Sequence, residues 1–333
     1  MTLSLLAAAA TLAAPGELKL FQDWIVGCDN GRACHATSLL AEDDDWDRPV
    51  KMAIMRGPEP DAVPEVVIFG TEGAAAAIAA DGKRLAAKIV RGESDDEVDP
   101  GSSREVVAAL RRARSVTILD RQGKEIGSVS PAGVSAALLY MDDAQKRVGT
   151  VTALIRHGPK PASAVPPPPP LPTVRSAVRP APNPVRVSDD EIAALRAEHD
   201  CDDRQDWTDR DSQEPLDPDH SLILVGCWMG AYNSSEIPLI ATRSGNGVRI
   251  EIAKFDVDFH QDGQVPMLVN AGWAPNEGLL TSFAKGRGIG DCGEGSDYAW
   301  DGERFRLVQR IEMGECRGST DYITTWRARL VKP

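Results

Sequence analysis

The chain has 333 residues, 37 Lys+Arg against 50 Asp+Glu, a formal net charge of −13, and 42% hydrophobic residues. At roughly 150 residues per domain, that is room for about two globular domains. The acidic balance excludes a nucleic-acid binder, whose phosphate contacts need a basic footprint, and past the N-terminus no apolar run reaches the roughly eighteen residues of a membrane span.

Leu3 to Ala14 form an apolar stretch rich in small residues, of the length of a secretory h-region, although no Lys or Arg precedes it. Ala8 and Ala10 fit a small-x-small cleavage pattern, and residues 1–16 are assigned as a signal peptide. Residues 17–157 are predicted to form an N-terminal α+β domain. LFQDWIVGC, VKMAIMRG, EVVIFG, SVTILD and EIGSVS read as strands, being short, β-branched and bounded by Gly, Pro and Asp. Two helices interrupt them. One follows the capping box Ser102-Ser-Arg-Glu105, and the other starts at Ser130 with Pro131 at its first helical position. Val134, Leu138 and Met141 give the second helix an apolar face for the sheet.

Residues 158–186 hold eleven of the 24 prolines and no acid. With few amide donors and little to bury, they are expected to be a disordered, polyproline-like linker. From Ser188 to His220 thirteen acids face three arginines. The capping box Ser188-Asp-Asp-Glu191 predicts a short helix there, and the acids beyond Cys201 are read as a solvated loop, since no EF-hand spacing occurs. The C-terminal domain, 187–333, is otherwise mostly strand. SLILVGCW, IPLIATR, GVRIEIAKF, VPMLVNAGW, LLTSFAKG, RFRLVQRIEM and YITTWRARLV, with turns at Ser244–Gly247 and Asp301-Gly302, predict an antiparallel sheet or sandwich. The fold class is thus α+β and β-rich, with an N-terminal sandwich-like body and a C-terminal antiparallel one.

The six cysteines allow fifteen connectivities. Two precede the proline-rich segment and four follow it, so pairing within domains is the simple solution; it leaves three ways to join the last four, and the set expected is Cys28–Cys34, Cys201–Cys227 and Cys292–Cys316. No CxxC pair exists, and no His stands at ligand spacing from a Cys except His35 beside Cys34, so neither a metal nor a cofactor is expected. Gly288-Ile-Gly-Asp-Cys-Gly293 is a literal GxGxxG, but a cysteine sits inside it and no helix pattern follows, which argues against a dinucleotide. Its loop carries Lys285 and Arg287, which could present cations and backbone N–H groups to an anion or pair with Asp291 or Glu294. Five tryptophans, Trp207, Trp228, Trp273, Trp300 and Trp326, are in the C-terminal domain, suited to core packing or, if exposed, to sugar stacking. Lys285, Arg287, Asp291 and Trp273 are the candidate binding residues. Asp256, Asp258 and His260, at period two, form a candidate polar strand face. No catalytic residue is assigned.

The run Phe21-Gln-Asp-Trp24, Gly27-Cys-Asp-Asn30 and Cys34 resembles the opening of a family of exported six-cysteine proteobacterial proteins, domain of unknown function 1176. So do Gly230-Ala-Tyr-Asn233, Leu268-Val-Asn-Ala271, the Lys285–Gly293 loop, Trp300-Asp-Gly302 and Trp326-Arg-Ala328. The Trp24-x-x-x-Cys28 opening and the SPAGVSAALLYM helix are also similar to the invasion-associated locus B family, over the N-terminal domain only. The resemblance implies export and a disulfide framework, and no reaction. The expectation is a periplasmic or secreted, non-catalytic binding or structural module whose partner is an envelope component, protein or glycan. The alternatives are an envelope hydrolase acting on cell-wall glycan or peptide through the Asp256/Asp258/His260 face, and a virulence-type surface factor.

Overall fold

The computed structural model describes residues 15–41, 50–92, 95–202, 211–245, 247–256 and 266–333. In the N-terminal half the strands are β1 (Lys19–Phe21), β2 (Trp24–Cys28), β3 (Cys34–Ser38), β4 (Lys51–Arg56), β5 (Glu65–Phe69), β6 (Ala77–Ala80), β7 (Lys83–Arg84), β8 (Ile89–Arg91), β9 (Asp96–Val98), β10 (Val116–Leu119) and β11 (Glu125–Val129). Helix α1 (Pro100–Leu110) precedes β10, and α2 (Val134–Ala144) follows β11. An antiparallel seven-stranded sheet runs β1-β2-β3-β4-β5-β9-β8, and a four-stranded one runs β11-β10-β6-β7.

Strand alternation divides the larger sheet into two working faces. Trp24, Val26, Ala36, Met52, Ile54, Val66 and Ile68 point into one core with Val106 and Leu110 of α1 and Leu138 and Met141 of α2. The Trp24 indole Nε1–H donates to the Ser130 carbonyl at 2.8 Å, which satisfies its polar atom inside that core. The other face carries Ile25, His35, Lys51, Met55 and Glu65, and there the C-terminal half is seated.

After the second helix come a 3-10 turn at Ala162–Ala164 and β12 (Thr173–Arg175), then α3 (Asp189–Glu198), where both halves of the Ser188/Glu191 capping box form. Next are β13 (Ser212–Asp217), β14 (His220–Met229), β15 (Ser234–Ser244), β16 (Gly247–Ile252), β17 (Leu268–Val269), β18 (Gly272–Ala274), β19 (Leu279–Lys285), β20 (Gly293–Trp300), β21 (Phe305–Met313), β22 (Ile323–Arg327) and β23 (Arg329–Val331). One sheet runs β13-β14-β15-β16 with β17 also on β15, and the other runs β18-β19-β20-β21-β22. Leu222, Leu224, Leu280, Trp300, Phe305 and Trp326 fill the space between them. On the outer side of the first sheet α3 lays Ile192 against Val225 and Leu239. The cysteines close Cys28–Cys34 across β2 and β3, Cys201–Cys227 between the end of α3 and β14, and Cys292–Cys316 at the base of β20.

Several elements differ from the sequence reading. LFQDWIVGC folds back on itself as the β1/β2 hairpin, because Gln22 takes a left-handed turn conformation, φ 54°. VPMLVNAGW is broken likewise at Asn270, φ 45°. Strands β3, β6, β13 and β20 lie in stretches too small, acidic or glycine-rich to stand out. α1 begins at Pro100 behind Asp99, ahead of the predicted box, and α2 at Val134 after a turn through Pro131–Gly133.

The expectation of a disordered 158–186 linker is corrected. β12 pairs in parallel with β23, and Val165, Val174 and Val185 are buried. Ala177 N–H donates to the Trp300 carbonyl at 2.8 Å, and Arg179 N–H to Leu216 at 2.9 Å. The prolines lack donors but keep carbonyls, and these accept from neighbours. Arg32 reaches the Pro167 carbonyl at 2.8 Å, and Arg329 N–H that of Pro172 at 2.8 Å. The interspersed valines supply what prolines cannot, apolar anchors that a flexible spacer would not have.

Candidate functional site

The two halves meet along a seam. Ile25 and Leu39 from the first half pack with Cys292, Met313 and Ile323 from the second. Gly27 makes the close approach possible, since a Cβ there would stand 3.0 Å from Ile323 Cγ2 and 2.8 Å from Leu18. Polar contacts fasten both ends. Arg317 donates Nε to the Leu40 carbonyl at 2.9 Å, Nη1 to that of Gln22 at 2.8 Å and Nη2 to the Asp23 carboxylate at 2.5 Å. At the other end, Asn30 Nδ2 donates to the Arg327 carbonyl at 3.0 Å, while Arg327 N–H donates to Asn30 Oδ1 at 2.9 Å.

Next to that second clamp the seam opens into a cleft of about 290 Å³. Its first wall is a row across three neighbouring strands. His35 of β3 is opposite Met55 of β4, which is opposite Glu65 of β5. All three are on the outer face because their even-numbered neighbours are in the core. The second wall is Gln309 of β21 beside its register partner Arg327 of β22, with Thr324 on the same strand. Asp29 and the Cys28–Cys34 bridge close one end. The Asp29 carboxylate accepts Gly31 N–H at 2.8 Å and Ala33 N–H at 2.9 Å through Oδ1, and its Oδ2 meets Arg327 Nε. His35 Nε2 shares a hydrogen bond of 2.8 Å with Asp321 Oδ2, both side chains mostly buried.

Behind the first wall is a buried polar lock. Asp142 accepts Leu154 N–H and Ile155 N–H at 2.8 Å each and faces Arg56 Nη1 at 3.4 Å. Arg56 in turn donates Nη2 to the Thr152 carbonyl at 2.5 Å. Burial, with the neighbouring Arg147 charge, pulls the Arg56 guanidinium down to about 9, against the attraction of Asp142. Gln145 Nε2 donates to the Arg56 carbonyl at 2.9 Å and the Gly57 carbonyl at 3.1 Å. The lock fixes the cleft edge at Arg56 and Gly57, so the pocket is held open by satisfied polar groups rather than by empty space.

Comparison with known proteins agrees with the sequence resemblance. The chain belongs to the DUF1176 family. The family model, described as a protein of unknown function, matches residues 18–329. The chain is similar to an uncharacterised protein, YpfG, of Escherichia coli (strain K12), 27% identical over 361 aligned residues covering 98% of this chain and 97% of that protein. No solved structure matches.

In this DUF1176 chain the Cys28–Cys34 bridge borders the cleft, whereas the candidate binding and polar-face residues that are described fall in three places apart from it. Arg287 is tied to Asp291, with Nε donating to Oδ1 at 2.6 Å, and Asp291 also accepts Gly318 N–H at 2.6 Å. That pairing, opposed by burial, holds the Asp291 carboxyl below its ordinary value. The glycines around it permit a tight loop on the third disulfide. A Cβ on Gly286 would approach Cys292 Sγ to 2.7 Å, and Gly293 adopts φ 139° where a Cβ would meet the Ala284 carbonyl. Lys285 is bound through its main chain, its carbonyl accepting Asn233 Nδ2 at 2.9 Å. Trp273 is elsewhere. It pairs with Leu280, five residues along β19 from Lys285, or about 16 Å at ~3.3 Å per residue, and packs partly buried against the inter-sheet core. Asp256 accepts Arg306 Nε at 2.8 Å and Leu307 N–H at 2.9 Å, while Asp258 and His260 lie outside the described residues. Trp24, Trp300 and Trp326 are core residues, whereas Trp228 is 45% exposed.

The cleft residues His35, Glu65, Gln309 and Arg327 were not singled out from sequence. His35 and Thr37 at period two in CHATS, and Glu65 at the head of EVVIF, were the signal available for the first wall. Among the described residues, no group of three or more His, Cys, Asp or Glu is placed to hold a metal ion, and no helix is long and apolar enough to cross a membrane.

Proposed function

We propose that this protein is an exported envelope protein that binds its partner, without catalysis, in the cleft between its two halves. Export is supported by the apolar Leu3–Ala14 stretch and by three disulfides, which persist in oxidising compartments. The observation that carries the binding reading is the composition of the cleft. It is concave and mixed in polarity, with Gln309, Glu65, His35 and Arg327 converging on a Met55 floor, as small-molecule and glycan sites are. A hydrolase needs an activated nucleophile or paired carboxylates. Of the cleft's groups, the Cys34 sulfur is tied in a bridge and the Asp29 carboxylate is occupied by two N–H groups and Arg327, so Glu65 stands as a single carboxylate rather than one of a pair, and among the described residues no hydrogen bond joins the Thr324 hydroxyl to the His35–Asp321 pair. The ligand class this favours is a polar envelope component, a cell-wall glycan fragment or an extended peptide.

The test is a titration of the oxidised, isotopically labelled chain with solubilised muropeptides, read by amide chemical shifts. Shifts gathered at His35, Glu65 and Thr324, and abolished by Gln309→Ala with Glu65→Gln, are expected, with the muropeptides recovered intact. Shifts confined to the Lys285–Gly293 loop or the Trp228 surface, or none at all, would move the function away from the cleft. Conversion of the muropeptide would replace binding by catalysis.

A further inference from the structure

The β13–β16 sheet ends on β16, and among the described residues no strand pairs with its far edge. Ala253 N–H donates to the Pro238 carbonyl at 2.9 Å. That bond sets the alternation of an antiparallel ladder: residues 249, 251 and 253 turn their backbone groups to β15, and 248, 250 and 252 turn theirs outward. Exposed edges template further pairing unless proline, charge or a bulge blunts them. β16, Gly247-Val-Arg-Ile-Glu-Ile252, has no proline and a continuous register with β15, and its two charges are of opposite sign. Val248 and Ile252 are 43% and 37% exposed. They share a face with Ile250, which packs against the apolar group under α3. Arg249 and Glu251 are on the opposite face, 3.3 Å apart and largely in water.

We propose that β16 pairs antiparallel with β16 of a second copy about a twofold axis at Ile250. The strand is self-complementary about that point. Ile250 meets Ile250 of the second copy, Val248 meets Ile252, and Arg249 meets Glu251, each of the last two twice. The backbone agrees with the side chains, since every residue in hydrogen-bonding register under that axis, 248, 250 and 252, is one whose N–H and C=O point outward. Six ladder bonds result. An axis moved one residue to Arg249 or Glu251 still places outward backbone groups opposite one another, but it would set like charges face to face, so the side chains choose Ile250. The product is an isologous dimer with one sheet continuous through both molecules and an apolar stripe of Val248, Ile250 and Ile252 from each copy. Two charges of opposite sign at matching offsets from the centre favour a second copy over an unrelated strand.

Sedimentation of the oxidised full chain up to about 300 µM tests this. A reversible monomer–dimer equilibrium is expected. Ile250→Pro removes an outward N–H and no bond to β15, so it should give a monomer with unchanged circular dichroism. Arg249→Glu and Glu251→Arg each install two like-charge pairs and should weaken the dimer about ten-fold, and the double reversal should restore it. A wild-type monomer at every concentration, a dimer indifferent to Ile250→Pro, or a double variant no better than the singles would overturn the proposal. So would a monomer that instead captures a synthetic peptide copying residues 247–252, which would give the edge to a strand-donating partner.

Discussion

Replacing Ile323 by Ala tests whether the halves fold as one body. Ile323 is fully buried at the centre of the seam, between Ile25 and Leu39 on one side and Met313 on the other. Truncating such a side chain costs about 3 kcal/mol, the lost transfer energy plus an unfilled cavity. The consequence for melting depends on how much chain unfolds together. At ~2.1 cal/mol/K per residue, a cooperative unit of ~300 residues converts this into a Tm shift of about 5 °C, and a unit of half that size into about 10 °C. Scanning calorimetry separates the cases. The welded structure predicts one endotherm moving by the smaller amount, with Trp24 and Trp300 fluorescence following the same curve. Two endotherms, of which one moves by the larger amount while the other stays, would refute the reasoning, because the Arg317, Asn30 and Gly27 contacts would then be too weak to couple the halves.

Trypsin should leave Arg175 uncut under native conditions, since β12 is paired with β23 and Val174 is buried; early cleavage there into two resistant fragments would return the segment to a loose spacer. Cys201→Ser with Cys227→Ser opens a loop of 26 residues' separation and should cost ~3 kcal/mol, read as a lower urea midpoint with α3 amides exchanging first. Acid should destabilise the fold below pH 3.8, the ordinary Asp value. Arg287 holds the Asp291 carboxyl lower against burial, and Asp219 N–H, His220 and Trp300 Nε1–H hold Asp217 lower although its own burial works the other way. Both carboxylates therefore contribute stability that is complete above 3.8 and lost as pH falls through their folded values. Asp291→Asn should flatten that limb of a urea-midpoint profile, and an unchanged slope would show that the pair is worth little.

What the sequence displays is the local part of this fold. Ser188 and Glu191 announce α3 because a capping box is chemistry between residues three apart. SLILVGCW and IPLIATR announce β14 and β15 because an apolar run bounded by turn residues has few other uses. The strands that escaped notice are strands for reasons outside themselves. Ala77–Ala80 has no β-branched residue except Ile78 and is held by β10. Gly293–Trp300 is glycine-rich and acidic, yet lies between β19 and β21 with a partner on each side. The proline-rich segment misled for the same reason. Its composition forbids a core of its own, but not docking onto a core that includes Trp300, Leu216 and Val308.

The cleft lies further still from what local pattern can show. His35, Met55 and Glu65 form a row only once β3, β4 and β5 are in register, and Asn30 meets Arg327 across 297 positions of chain. The arrangement has a consequence for binding. The site's two walls belong to different halves, and the same Asp29–Arg327 and Asn30–Arg327 contacts that shape its end also fasten the seam. A ligand bridging Glu65 and Gln309 therefore adds its binding free energy to the cohesion of the whole molecule, by RT ln(1 + [L]/Kd). Occupancy should raise the single melting transition rather than that of one half, and Ile323→Ala should weaken the ligand although it touches none of it. Loss of stability with affinity unchanged in that variant would separate the cleft from the seam.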